Sequence, residues 1–133
     1  MSHELDAEQA AVWAVVTDLY QAYLDNDRMR LEDHLADGCT MWETATSAMR
    51  TKADLVAARS AATSAHTTAR KEPVALTASA PSITVHGDLA VEHHVLDAVF
   101  ADAALNENLR CTSALRRIDG VWKFVHHHEE RLS

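Results

Sequence analysis

Residues 110–128 read RCTSALRRIDGVWKFVHHH, two strand-like runs joined by Asp119-Gly120. Asp-Gly between such runs favours a type I′ turn, in which both central residues take a positive φ that matches the twist of the flanking strands. That turn sets a register. Ile118 stands opposite Val121, and running back from that pair Arg117 stands opposite Trp122, Leu115 opposite Phe124, Ser113 opposite His126 and Cys111 opposite His128, these last four pairs on one face. The other face carries Arg110, Thr112, Ala114, Arg116, Lys123, Val125 and His127 and is the more charged. The face with Leu115, Trp122 and Phe124 is therefore expected to meet the helices. On this register His126 and His128 look inward and His127 outward; a β-bulge after Phe124 would reverse these later assignments.

Working back along the chain, "VALTASA", "SITVH" and "LAVEHHVLDAVF" are further strand-like runs, separated by Pro81, "HGD" and the loop "ADAALNEN". The first half has a different period. From Asp6 to Asp25 the larger apolar residues recur at three and four, giving a helix with one buried face, and Asp6 with Gln9 makes a capping box. "DRMRLEDHLADG" reads as a short second helix, with Leu31 and Leu35 on one side and Gly38 as its stop. "CTMWETATSAMR" has the content of a short strand pair. Thr51 with Asp54 caps a third helix through about Ala65, followed by the polar connection "HTTARKEP". The expected fold is α+β: one cone-shaped domain over residues 1–133, three N-terminal helices packed on a curved antiparallel sheet. The wedge between helices and sheet is the natural place for a pocket.

The totals restrict the partners. The chain has 133 residues and a formal charge of −8, which opposes phosphate backbones and anionic membranes. Neither nucleic acid nor a membrane is expected. Two cysteines, Cys39 and Cys111, suit free thiols in a reducing cytoplasm better than a disulfide framework, and no apolar run matches a signal segment or a membrane span. The long strand is apolar on both faces: Ala90, Glu92, His94, Leu96, Ala98 and Phe100 form one row, and Leu89, Val91, His93, Val95, Asp97 and Val99 the other. Such a strand is expected to be covered twice, by helices and by a second copy, so a homodimer through the outer sheet face follows.

Taken together, "DRMRLEDHLADGCTMWET", "HGDLAV" and "RRIDGVWKFVHHH" resemble the nuclear transport factor 2-like superfamily, with its cystatin-like fold. Within it the chain is most similar to SnoaL-like proteins and to the association (hub) domain of calcium/calmodulin-dependent kinase. The resemblance implies a fold more than an activity, because that superfamily includes isomerases, cyclases, dehydratases, binders and oligomerisation modules. It puts Glu43 where ketosteroid isomerases hold their proton-shuttling aspartate and Tyr20 near their oxyanion-hole tyrosine. The protonated aspartate that completes that hole falls at Ala114, which argues against a steroid isomerase. The arginine positions of the hub pocket fall near Ser113 and Glu129, so a ligand here is neutral or cationic.

Glu43, His94 and His126 are accordingly the candidate catalytic proton carriers. Tyr20, Tyr23, Trp42, Ser113 and His128 are the candidate ligand-binding wall, with plain core the competing reading for the aromatics. His126, His128 and Glu130 alternate as a facial ligand set can, but a metal-free pocket wall is the preferred reading, and no cofactor is expected. A thiol–imidazole pair of Cys111 with His128 lacks any identifiable oxyanion donor. The functional expectation is a small-molecule pocket protein with acid/base chemistry of the isomerase, dehydratase or cyclase type. The alternative is a non-catalytic ligand-binding or oligomerisation module.

Overall fold

The computed structural model describes residues 4–44, 46–64 and 72–132. Helix α1 (Ala7–Leu24) starts at the expected capping box: Asp6 Oδ1 accepts from Gln9 N at 2.8 Å, and Gln9 Oε1 accepts from Asp6 N at 3.0 Å. Gln9 also donates from Nε2 to the Ile83 carbonyl at 2.9 Å, which pins the helix start to the sheet. Val12, Val16, Leu19 and Tyr20 are its buried face.

Helix α2 covers only Arg28–Asp33 and does not run on to Gly38. Leu35 opens strand β1 (Leu35–Trp42) instead, because the sheet supplies its backbone partners: Phe124 N donates to the His34 carbonyl at 2.8 Å. Gly38, at φ 79°, lies inside an irregular part of β1, where five steps from Leu35 to Thr40 match two from Phe124 to His126. Only a residue without a Cβ takes that φ without strain.

Strand β2 (Arg50–Thr51) leads into α3 (Lys52–Ser64), whose start is held by reciprocal bonds between Thr51 and Asp54. Ala65, the last residue of the expected helix, and most of "HTTARKEP" lie outside the described residues. Strands β3 (Ala75–His86), β4 (Leu89–Val99), β5 (Glu107–Ile118) and β6 (Val121–Arg131) follow, giving a six-stranded sheet of order β2-β1-β6-β5-β4-β3. The sheet is curved and unclosed. It is not wholly antiparallel, since β1 runs parallel to β6. Pro81 does not divide two strands; it sits at an irregularity between Ser79 and Ser82 within β3. Because β3 is an edge strand, the missing N–H costs no ladder bond.

The β5–β6 hairpin decides the site. Asp119 and Gly120 have φ of 52° and 80°, as a type I′ turn requires, and Leu115 faces Phe124 as expected. Arg117 stacks over Trp122 at 4.9 Å. Beyond Phe124, however, the register shifts and Ala114 pairs with His126, leaving Val125 as the extra residue of a bulge. Ser113 therefore faces His127, not His126, and Cys111 faces Glu129, not His128. The expected facing of the three histidines is inverted: His127 is buried, while His126 and His128 are half-buried on the other face. On β4 the inner row is Ala90, Glu92, His94, Leu96 and Ala98, all buried.

No helix among the described residues is long and apolar enough to cross a membrane. At the join of α1 and α2, Asp18 receives the Arg30 guanidinium and, at 2.6 Å, His34 Nε2. Hydrogen bonds from Arg30 and then His34 hold its carboxyl at about 2 against an ordinary 3.8. A carboxyl lowered on folding adds stability that is complete above its ordinary value and lost as pH falls through about 2. With the Asp18 side chain 37% exposed, that contribution is at most about 1 kcal/mol. Urea unfolding should show Asp18→Asn less stable than wild type at neutral pH, with the gap closing as the pH is taken below about 3.

Candidate active site

The three helices and the inner sheet face enclose a cavity of 280 Å³. Its apolar lining comes from every layer, with Leu19 from α1, Leu31 from α2, Leu55 from α3, and Leu96, Leu109 and Phe124 from the sheet. Each is the residue that the helical or alternating period turns inward. Polar groups reach it at a few places: Tyr20, Tyr23, His127, four glutamates (Glu32, Glu43, Glu107 and Glu129) and two arginines (Arg28 and Arg50).

Behind this wall run two hydrogen-bonded chains. In the first, the Tyr20 hydroxyl lies 2.7 Å from His94 Nε2, and His94 Nδ1 lies 2.5 Å from Glu92 Oε2. Neither the His94 nor the Glu92 side chain has any exposed surface, and Glu92 Oε1 has no hydrogen-bond partner among the described residues. Trp13 packs edge-on against the His94 ring at 5.7 Å and helps hold it. In the second chain, Ser113 Oγ lies 2.8 Å from His127 Nδ1, and His127 Nε2 lies 3.0 Å from Glu129 Oε1. The two imidazoles stack with centroids 6.4 Å apart. Burial, then the neighbouring Cys111 and Glu129, push the Tyr20 hydroxyl well above its ordinary value of 10, so it keeps its proton and can donate.

The second chain has the connectivity of a serine–histidine–carboxylate triad. Yet Ser113 is fully buried and off the cavity lining, so its Oγ orients the ring and meets no substrate. Cys111 Sγ lies 3.9 Å from the Tyr20 hydroxyl. Burial and then the Glu129 charge push its thiol up to about 12.

The residues expected from sequence divide into three groups. Glu43, Tyr20 and Tyr23 line the cavity; Arg50 Nη1 is 3.7 Å from Glu43 Oε1, and the Tyr23 hydroxyl also bonds Glu72. His94 and Ser113 stand one side chain behind the wall, each holding a residue that does line it. His126, His128 and Trp42 are elsewhere, because the bulge at Val125 turns the two histidines away from the helices. His126 Nδ1 bonds Thr40 Oγ1 at 2.8 Å, and burial, then the neighbouring His127 and His128, lower its pKa below the ordinary 6.5. Trp42 is 44% exposed and meets His128 edge-on at 6.0 Å beside a separate shallow depression. Ala114 is likewise in the outer row, and the inner neighbour at that level is Ser113.

Sequence reasoning missed His127 and Glu129 as cavity groups. The available signal was the pair of small residues Cys111 and Ser113 in the inner row of β5, which leaves room across the hairpin for a ring and a carboxylate.

Comparison with known proteins agrees with this architecture. Three solved structures superpose on most of the chain. An NTF2-like protein of unknown function from Pseudomonas putida has a TM-score of 0.75 at 19% identity, covering 93% of this chain and 86% of its own. A protein from Xanthomonas campestris, provisionally assigned as a calcium/calmodulin-dependent protein kinase II association domain, gives 0.76 at 17%, covering 99% and 93%. One from Shewanella frigidimarina, provisionally assigned as a ketosteroid isomerase, gives 0.69 at 18%, covering 90% and 94%. At these identities the likeness is one of fold. No curated protein matches the sequence. Residues 12–129, nearly the whole chain and all the elements that wall the cavity, match the SnoaL-like domain, and the chain belongs to that family.

Proposed function

We propose that the chain is a small-molecule pocket protein that performs cofactor-independent acid/base chemistry, of the isomerase, dehydratase or cyclase type, on a compact, largely apolar substrate. The observation that carries this reading is the Tyr20 hydroxyl, which stands at the cavity wall with His94 behind it at 2.7 Å and Glu92 behind that. A fully buried ionisable pair is a poor way to stabilise a fold, since apolar side chains of the same volume do as well or better. It is a good way to fix a donor at a cavity. With His94 Nε2–H donating to the Tyr20 oxygen, the Tyr20 proton is left for a substrate oxygen as charge develops there, and Glu43 would move the proton at the adjoining carbon. His94 is a positioning residue, and His126, on the outer face, takes no part. Four glutamates against two arginines in the lining favour a neutral or cationic ligand. That some fold neighbours are provisionally assigned as ketosteroid isomerases supports the class of chemistry and not the substrate.

Proton exchange tests this without knowledge of the substrate. In D2O, the protein should speed deuterium uptake by a small enolisable ketone such as 2-cyclohexenone, with Tyr20→Phe and Glu43→Gln each slowing it about 100-fold. Exchange no faster than buffer, or unchanged in Glu43→Gln, defeats the reading.

The alternative, a binding or oligomerisation module, is favoured by a different observation. Val91 and Val95 are half-buried on the outer face of β4, and Trp42 is exposed beside β6. A second copy covering that face would bury them. A monomer in sedimentation at micromolar concentration defeats that arrangement.

A further inference from the structure

We infer that Cys111, His127 and Glu129 form a binding site for a zinc-type divalent metal ion at the floor of the cavity. Sγ, an imidazole nitrogen and a carboxylate oxygen from these residues all lie within 4.8 Å of one another. The placement follows from the bulge: Cys111 and Glu129 are cross-strand partners, and His127 precedes Glu129 by two residues on the same face. His127 and Glu129 line the cavity while Cys111 lies behind them, so three protein ligands leave a fourth position directed into the cavity. That is the open coordination of a zinc site able to take a further donor from the cavity, and the Tyr20–Glu43 proton transfer proposed above does not use it.

The donor set selects the ion. Thiolate and imidazole suit zinc and its neighbours and not magnesium or calcium, which prefer oxygen alone. Two ligand atoms about 2.0–2.1 Å from a tetrahedral zinc are about 3.3 Å apart, and His127 Nε2 and Glu129 Oε1 are already at 3.0 Å. The sulfur, within 4.8 Å of the other two ligand atoms, closes on them to complete the set. Ser113, on the other ring nitrogen of His127 at 2.8 Å, fixes the ring as an outer partner of a metal-bound histidine does.

Against binding stands the buried thiol, which must give up its proton. Each ion bound forms one S–metal bond and releases one proton through the cavity to solvent. Nothing is oxidised or reduced.

Cobalt(II) is the probe. Untagged protein stripped with chelator and titrated with Co2+ should bind one equivalent, develop a thiolate-to-cobalt charge-transfer band, and lose it on addition of Zn2+. Cys111→Ser should lose the band, whereas Cys39→Ser and the double change His126→Gln/His128→Gln should keep it. Glu129→Gln should weaken binding by about 10-fold or more. Should Cys111→Ser fail to fold, His127→Gln decides in its place. No band in wild type with excess Co2+, or a band that survives Cys111→Ser, overturns the site. The inference does not rest on the acid/base reading: Glu43→Gln should leave the cobalt band intact while slowing proton exchange about 100-fold, so the two can fail separately.

Discussion

Glu92→Leu alone should cost about 3–5 kcal/mol, a fall of roughly 10–20 °C in Tm, whereas Glu92→Leu with His94→Leu should cost much less than the two single changes added. The pair is wholly buried and 2.5 Å apart, so Glu92 depends on His94 for compensation of its lost water, and His94 has Glu92 on Nδ1 and the Tyr20 hydroxyl on Nε2. Removing Glu92 leaves His94 Nδ1 facing a leucine, with the full desolvation penalty and no partner. Removing both deletes the penalty with the groups and leaves apolar side chains in an apolar layer. Recovery will be incomplete, because the Tyr20 hydroxyl loses its 2.7 Å partner and keeps only the 3.9 Å contact with Cys111. A double-mutant cycle from urea unfolding reads the coupling directly, and about 2 kcal/mol or more is expected. Additive single effects would show that the two side chains are not one unit, and the reason for treating Tyr20 as a positioned donor would go with it.

The same buried chain shows what a linear sequence discloses. Glu92 and His94 are two apart on a strand, so their shared face was readable from the period alone, and so was the helical position of Tyr20. That they meet across 74 residues depends on α1 crossing the inner face, which the helix-then-sheet order made legible. The histidine triplet behaved differently. A turn such as Asp119-Gly120 fixes pairing only until the ladder is interrupted, and nothing in "FVHHH" marks Val125 as the interruption. The cause is non-local. After the bulge β6 pairs not only with β5 but in parallel with β1, aligning Thr40, Met41 and Trp42 with His126, His127 and His128. β1 itself reaches that register through its own irregularity around Gly38. The two distortions are matched to each other, and a local reading sees only one strand at a time. Glu43 was reached by a different route: the resemblance carried by "TMWET" pointed to it, and that needs no register to be counted through either distortion.

Phe124 and Trp42 should separate what the sequence could not. Both are aromatic side chains on or beside β6, but Phe124 has no exposed surface whereas Trp42 is 44% exposed. Phe124→Ala should cost about 3–5 kcal/mol, as expected for deleting a buried ring whose surroundings close up only in part. Its neighbours have little freedom to collapse: Leu115 lies across the hairpin, and the His127 ring sits edge-on at 5.8 Å, itself tied to Ser113 and Glu129. The space left opens into the existing cavity, because Phe124 lines it. An apolar molecule of the ring's size should therefore bind there and restore stability by mass action, so benzene should raise the Tm of Phe124→Ala more than that of wild type. Trp42→Ala, by contrast, should change stability by less than about 1 kcal/mol and leave the benzene response at the wild-type level. Equal losses for the two variants in urea would mean that the inner face of β6 is not the wall of the cavity, and the placement of His127 and Glu129 on its floor would fall with it.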